Sequence, residues 1–489
     1  MFRRNERKEN KVETINRGAL ELDGLLAGMK GAAYMPGDEG YDGGRAAWNL
    51  NADQHPALVV MAEDAADVVA AVRYARDRGL GVGVMATGHG AASLPDGGVL
   101  INTSRMKGVS VDPEARTARV QAGAKWTELV PEAAAHGLAG LRGSTSDVSV
   151  VGYTSGGGFA WLRRKYGFNA DSVKEAEVVT ADGELLRVSA DENADLFWGI
   201  KGGGGNFGIV TSLEISLYPL THVYGGNIYY PIERAPEVLE HYARWIETLP
   251  DEMTTAVVFL NFPPIPEIPP FLRGRSFVAV RGAYSGDRLE RGKELMRFWY
   301  EGFGEPDVDD MRVMPYAAMD MISMDPVDPI GVYTHVDRLG ELSPEAIDAL
   351  VEVAGADSGS PLEVLEIRHL GGALGRQPAR PSAIGHRASR FIVMGIGAIP
   401  TPEVAQAVQA HLAYVAEKMR PFATGATYVN FLDLDEASPE QVRAAYSPEV
   451  WERLVELKDR YDPENVFRFN RNIPPSGAPE RGPRAYVVR

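Results

Sequence analysis

Between positions 202 and 208 the chain runs Gly202-Gly203-Gly204-Gly205-Asn206-Phe207-Gly208, five glycines in seven residues. Glycine turns the backbone freely and lets other atoms approach the main chain with no Cβ in the way. The residues immediately C-terminal to the run decide which fold it belongs to. A dinucleotide fingerprint needs a preceding strand, a helix directly after the glycines and an acidic residue about 20 positions further on. Here Ile209-Val210-Thr211-Ser212-Leu213-Glu214-Ile215-Ser216-Leu217 comes next, and it reads as a strand. A Rossmann nicotinamide domain is therefore set aside. The run is read instead as a turn whose backbone amides meet phosphate or ring oxygens.

A second glycine turn points the same way. Gly88-His89-Gly90 ends the alternating run Leu80, Val82, Val84 and precedes Ala91, Ala92 and Ser93, placing a histidine where a cofactor can come close to backbone. Upstream, Val68, Val69, Val72 and Ala75 fall at helical spacing over 63–79, with Asp64 to cap the start and Gly79 to close the end. A strand over 80–87 comes next, then strands at 99–101, 109–111 and 118–121, the last two joined by the turn 112–116. This region mixes α and β and concentrates glycine at strand ends.

From about 225 the texture changes. Residues 226–230, 256–260 and 277–282 are strand-like, with helix candidates between them, while the proline density of 263–270 marks a loop. Ser343-Pro344-Glu345 and Thr401-Pro402-Glu403 read as helix starts with Pro in the first turn, and Ser438-Pro439-Glu440-Gln441 as a capping box. An antiparallel sheet backed by helices, lying over a pocket, is expected for 226–420.

Composition excludes several functions. A net charge of −17 disfavours nucleic acid and anionic membrane as partners, since both call for clustered Lys and Arg. With no Cys in 489 residues, disulfides, thiolate metal sites and a Cys nucleophile are ruled out. No metal site is expected from any other residues. The charged stretch 1–8 has no apolar run behind it, so neither an export signal nor a membrane span is read there, and a cytoplasmic protein is expected.

Several longer motifs occur in order: 143–167, then Asp171, the strand-like 176–183, and 195–211, with Tyr428-Val429-Asn430-Phe431, Tyr461-Asp462-Pro463-Glu464-Asn465 and Phe469-Asn470-Arg471-Asn472-Ile473 near the end. Together they resemble the berberine-bridge-enzyme-like oxidases of the vanillyl-alcohol-oxidase superfamily. The resemblance implies an α+β protein with a PCMH-type, two-subdomain FAD-binding domain over 1–225, its core about 52–222. A substrate domain over 226–420 and a segment over 421–489 that returns to the first domain complete the expected plan. By this resemblance Met85, Ala86, Thr87, Gly88, Gly90 and Ala91 wrap the pyrophosphate of FAD, and His89 is bonded covalently to the C8 methyl of the flavin. The chain has Thr-Gly-His where Gly-Gly-His is commonest. Thr145 falls where many members carry a Cys that makes a second bond, so any link here is single. Val148, Gly152, Ser155, Gly156, Gly208, Val210, Asn470 and Asn472 complete the expected cofactor contacts.

Oxidising an alcohol or amine carbon needs a base for the O–H or N–H proton while hydride goes to the flavin. Tyr428, with Asn430 orienting groups beside it, resembles the family segment over the flavin and is the leading base, with Tyr153 in reserve. A phenol needs a cationic or hydrogen-bonding neighbour, such as Arg368 or His369, to bring its pKa down. The competing reading is a core tyrosine with a satisfied hydroxyl. On the strand-like 363–369, alternation leaves two registers open: Glu366 with Arg368, or Leu365 with His369, faces the flavin. Plant members that form carbon–carbon bonds place a Glu just upstream of a His-Arg segment, whereas 380–385 here holds no carboxylate, which argues against that chemistry. His386-Arg387 is either a structural pair or a substrate contact. His136, His241 and His411 lie in helix-like stretches and read as ordinary surface or packed residues. The expected activity is an FAD-dependent oxidase acting on a small molecule, a sugar or a secondary-metabolite alcohol or amine, with O2 as acceptor and H2O2 as product. A flavin dehydrogenase using another acceptor and a non-catalytic flavin-binding module are the alternatives.

Overall fold

The computed structural model describes residues 13–15, 20–266, 268–434, 436–477 and 486–488, and the charged stretch 1–8 lies outside them. The expected helix forms as Ala65–Asp77, with the Asp64 carboxylate accepting from the Ala66 and Asp67 amides, donors that a helix start otherwise leaves bare. Its inward residues, Val68, Ala71, Val72 and Ala75, pack in one core with Leu58, Val60, Val82, Val99 and Ile101. Strands Leu58–Met61 and Val82–Met85 both pair in parallel with Val99–Asn102, and Ala32–Tyr34 adds antiparallel at the edge. The four residues 58–61 are all buried, as a parallel strand covered on both faces requires.

The strand after the glycine run is Ile209–Ser216, central in a five-stranded antiparallel sheet between Val173–Val179 and Thr117–Gln121, with Leu185–Ser189 and Val109–Asp112 at the edges. Its core gathers Trp126, Leu129, Phe197, Trp198 and Phe207.

The third sheet is antiparallel and has eight strands, chief among them His222–Pro231, Met253–Asn261, Ser276–Tyr284, Val332–Leu339, Val364–His369 and Phe391–Ala398. Helices Ala235–Ile246, Glu290–Gly302, Pro344–Ala354 and Pro402–Met419 cover one face through Trp245, Trp299, Leu350 and Val415. Ser343, Thr401 and Ser438 each cap a helix that has Pro in its first turn, accepting from the Ala346, Val404 and Gln441 amides. Strand alternation sends Val257, Phe259, Leu365 and Ile367 to the helix side. On the other side Val336, Ile392 and Met394 pack against Phe159, Phe168 and Tyr428, so this sheet leans on the first two. The proline-rich 263–270 holds neither helix nor strand among its described residues.

The chain end packs back on the beginning. Val466 and Phe467 enter the core around Leu58 and Val60, and Phe469 bridges to Gly83. Lys458 and Asp462, both fully buried, explain the nearby Tyr-Asp-Pro-Glu-Asn motif. The Lys458 ammonium donates to Asp462 (2.6 Å) and to the carbonyls of Asn206 (2.9 Å) and Phe467 (3.1 Å), while Asp462 accepts from the Val466 and Phe467 amides. One buried pair thus ties the glycine run to the C-terminal turn. Among the described residues no helix is long and apolar enough to cross a membrane.

Candidate active site

Met85 closes its strand with its carbonyl accepting from Thr103 N (2.8 Å), and residues 86–91 leave the sheet as a loop. Gly88 has φ +76°, and a Cβ there would stand 2.6 Å from Ala47 Cα, so only glycine lets the loop lie against 47–49. The Trp48 and Asn49 amides donate to the Thr87 and Gly88 carbonyls, and the Trp48 ring stacks on His89 with centroids 4.1 Å apart. His89 Nε2 lies 3.5 Å from Asp147, an ion-pair separation too long for a hydrogen bond, and Asp147 is itself held by Lys125 at 2.7 Å. Burial pushes the His89 imidazole below its ordinary pKa and outweighs the pull of Asp147, so the ring is neutral at pH 7 with Nε2 unpartnered. Of the remaining loop residues, Ala86 and Ala91 are half-buried and Gly90 is exposed.

The 143–158 segment forms the opposite wall. Thr145 accepts from the Asp147 amide and Val148 from the Trp126 amide. A short helix, Val150–Ser155, begins after the Ser149 cap and leaves Gly152 exposed on this wall. The Ser155 carbonyl accepts from the Gly202 and Gly204 amides, joining the two glycine segments. A Cβ at Gly156 would fall 1.9 Å from Asn430 Oδ1, and one at Gly158 would fall 2.4 Å from the Tyr153 ring. Gly156 admits Asn430, which donates to the Tyr153 carbonyl (2.9 Å), and Gly157 admits Tyr428, whose oxygen accepts from the Gly158 amide (2.7 Å) and from Asn430 (3.3 Å). Gly208 and Val210 are closely packed: a Cβ at Gly208 would meet Val178 at 2.4 Å, and Val210 is 8% exposed.

Arg471 draws the remaining pieces together, donating to the carbonyls of Gly90 (3.0 Å) and Leu432 (2.7 Å). Asn470 donates to the Gly205 carbonyl at 3.0 Å. Around these walls His89 Nε2, Tyr153 Oη, Asn470 Oδ1 and Asn472 Oδ1 are all buried without a hydrogen-bond partner. Buried polar atoms are almost always satisfied, so four orphans among glycine-lined walls fit a polar cofactor whose hydroxyl and N–H groups reach them, with glycine amides left for a phosphate chain.

The face of the third sheet above these walls carries a buried ion cluster. Glu366 accepts from Arg368 Nε (2.6 Å) and Arg281 Nη1 (3.2 Å), and Arg281 Nε donates to Asn227 (3.0 Å). The register is thereby decided: Glu366 and Arg368 face inward, whereas Leu365 packs under the helices and His369 turns to Arg164 and Phe391. Burial raises the Glu366 pKa, but Arg368 and Arg281 overcome it and hold the carboxylate below its usual range. Burial, then Arg164 and Arg163, push His369 down to about 2. The expectation that Arg368 or His369 brings Tyr428 down is corrected by the structure: burial pushes the phenol up to about 12, against the pull of the Gly158 amide, Arg338, Asn430 and Arg368. Burial raises Tyr153 well above its ordinary value too. Both phenols keep their protons at neutral pH.

Residues 427–474 match the family model described as berberine and berberine like, and residues 56–189 match one described as an FAD binding domain. The chain is 31% identical over 467 residues to (R)-6-hydroxynicotine oxidase of Paenarthrobacter nicotinovorans, covering 92% of this chain and 98% of that protein. It belongs to the berberine-bridge-enzyme-like FAD-linked oxidoreductases. The fold of this family member superposes on the crystal structure of 6-hydroxy-D-nicotine oxidase from Arthrobacter nicotinovorans with a TM-score of 0.76 and 27% identity, covering 91% of this chain and 98% of the other. Glucooligosaccharide oxidase of Sarocladium strictum is 35% identical over 202 residues, 40% of each chain. The cofactor of the family is FAD, and the orphaned acceptors and glycine walls of this site suit it.

Several residues of the site carry no local signal. Trp48 and Arg281 join it only through tertiary contacts. Arg471 stands between Asn470 and Asn472, and its role at the Gly90 carbonyl depends on a contact across the whole chain. Arg387 is a structural residue, donating to Asp171 (2.7 Å) and Ser382 (2.9 Å), while His386 accepts from Arg338 at its carbonyl (2.9 Å) and keeps its imidazole Nε2 buried without a partner. His241 is packed against Phe298 and Phe303, and His411 donates to the Val353 carbonyl.

Proposed function

We propose that this oxidoreductase is an oxidase that takes hydride from a carbon bearing a hydroxyl or amine and passes the electrons to O2, releasing H2O2. The observation that carries this reading is Arg368. It is buried and locked at Nε by Glu366, yet its two terminal nitrogens donate to no described protein atom. A fixed guanidinium with free donors above the cofactor walls suits the oxygen or the anionic group of a donor molecule. FAD, when bound, accepts the hydride.

The chain's own residues divide the remaining work. His89, neutral and unpartnered at Nε2, holds the cofactor by a single covalent bond. The 85–91 loop, Thr145, Val148, Gly152, Ser155 and Gly156, together with Asn470 and Asn472, line its length, while Gly208 and Val210 support the wall from behind. Tyr428 and Tyr153, protonated, offer hydrogen bonds toward the donor, and Asn430 holds Tyr428 in place. Glu366 orients Arg368, and His369 props the strand from behind. Both donor classes have support among relatives, one acting on 6-hydroxynicotine and one on gluco-oligosaccharides.

The test is the visible spectrum of purified protein before and after acid precipitation, beside His89→Ala. Yellow retained in the wild-type pellet and absent from the variant's is expected, followed by H2O2 release with a hydroxyl or amine donor. Turnover with a dye acceptor but none with O2 would replace the oxidase reading by a dehydrogenase. A flavin passing wholly into the supernatant would refute the covalent bond.

A further inference from the structure

Four of the described groups above the cofactor walls that could take a proton are unsuited to it. Tyr428 and Tyr153 hold their protons too tightly, Glu366 is clamped between two guanidinium groups, and His369 faces away. Asp325 differs from these four. It comes after Met324, which takes a left-handed conformation at the end of the short helix Asp320–Ser323, and so begins the connection to strand Val332–Leu339.

Five contacts, made at Asp320, Asp325, Val327 and Ile330, tie this segment to the cofactor walls. Asp320 is bound by Arg142 (3.0 Å) and by the Ser146 hydroxyl (3.2 Å). The Asp325 carboxylate takes a hydrogen bond from the Ser144 hydroxyl, so Ser144 and Ser146, flanking Thr145, each hold one aspartate. Further on, the Trp48 indole donates to the Val327 carbonyl (2.9 Å) and Ile330 N donates to the Trp48 carbonyl (3.2 Å). Trp48 is the ring stacked on His89, and Asp147, three residues after Ser144, approaches His89 from the other wall. The groups facing Asp325 are Ser144 from the wall and Arg368, Arg281 and Glu366 from the sheet.

We propose, on the reading that donors are alcohols or amines, that Asp325 is the base that accepts the donor's proton. FAD, when bound, would supply the acceptor for the C–H hydrogen and its electron pair. The O–H or N–H proton passes to the Asp325 carboxylate, and the C–O or C–N bond becomes double. Arg368 faces the same space with its free nitrogens and steadies the oxygen or nitrogen as its bond changes. Burial raises the Asp325 pKa against the opposing pull of Ser144, Arg368 and Arg281, which brings the carboxylate nearer to neutral pH, where a base works best.

Two measurements test this on the holoenzyme. In the first, wild type, Asp325→Asn and Asp325→Glu are mixed anaerobically with 6-hydroxynicotine, a gluco-oligosaccharide and benzyl alcohol, and bleaching of the flavin is timed from pH 5 to 9. The Asn variant is expected to keep its flavin content and Tm, to bleach at least about 100-fold more slowly and to lose the acidic limb of the profile, with Glu restoring part of the rate. A rate within about threefold of wild type, or a loss of rate in proportion to lost flavin, overturns the assignment. The second uses no donor: resting flavin absorbance is titrated over the same range, and a transition above the ordinary carboxylate pKa is expected in wild type and not in Asp325→Asn. An unchanged transition in the variant also overturns it. If no donor bleaches the wild type, the alcohol-or-amine reading falls, and the donor-free titration still decides whether Asp325 titrates beside the flavin.

Discussion

Removing the Glu366 side chain should be among the costliest single changes in the substrate-facing sheet. Its carboxylate is 2% exposed and is the partner of both Arg368 and Arg281, whose own side chains are 9% and 7% exposed. Glu366→Ala leaves two buried guanidinium groups without the carboxylate that hydrogen-bonds them and opens a hole on the sheet face. Breaking a buried ion pair from one side costs about 3–5 kcal/mol, chiefly because the surviving charge stays desolvated. Over 489 residues, an unfolding entropy of about 2 cal/mol/K per residue comes to about 1 kcal/mol/K, so the expected fall in Tm is about 3–5 °C. Because Arg368 and Arg281 hold the folded-state pKa of Glu366 below its unfolded value, its stabilisation is present above about pH 4.3 and is lost as pH falls through the depressed pKa. The deficit of the variant should therefore be full at pH 7 and shrink in acid. Calorimetry of wild type, Glu366→Ala, Arg368→Ala and the double variant at pH 7 forms a cycle, and the double variant should recover part of the loss. A Glu366→Ala protein melting within about 1 °C of wild type would mean that both guanidinium groups reach water, and the argument for a rigid Arg368 would fail with it.

Other parts of the fold give three more expected outcomes. His335 sits between Asp337 (2.8 Å) and Glu436, and these carboxylates overcome burial to hold its pKa up at about 10. Its contribution is therefore complete below about pH 6.5 and lost as pH rises through about 10, so Tm should fall from pH 7 to 10 more steeply in wild type than in His335→Gln, and parallel profiles would contradict this. Gly156→Ala puts a Cβ 1.9 Å from Asn430 Oδ1, which must swing away from the Tyr153 carbonyl; a loss of about 1–3 kcal/mol with reduced flavin content is expected in a melt followed by flavin absorbance. Asp462→Asn keeps the shape but strips the anion from fully buried Lys458, and guanidinium unfolding should register about 3–5 kcal/mol.

Where function depends on short contiguous patterns, the chain was readable. The glycine run with an apolar alternation behind it announced a strand at Ile209–Ser216, and Asp64, Ser343 and Thr401 announced helix starts, because caps and alternation are local physics. The Val150–Ser155 helix was not legible: six residues holding a glycine and three β-branched side chains carry little intrinsic preference, and the Ser149 cap with its surroundings decides the matter. The register of Val364–His369 was equally closed to sequence, since either face of an alternating strand can be buried until the next strand but one presents Arg281 to Glu366.

The sequence by itself determined the family, the cofactor and the position of His89 in its glycine turn, since each rests on residue types at fixed short spacing. Tertiary structure alone decided the protonation of the site. The distance in sequence between Tyr428 and Gly158, or between Asp325 and Ser144, says nothing of the burial that raises the pKa of both the phenol and the carboxylate. A pKa is a sum over everything packed around a group, and those neighbours are chosen by the fold.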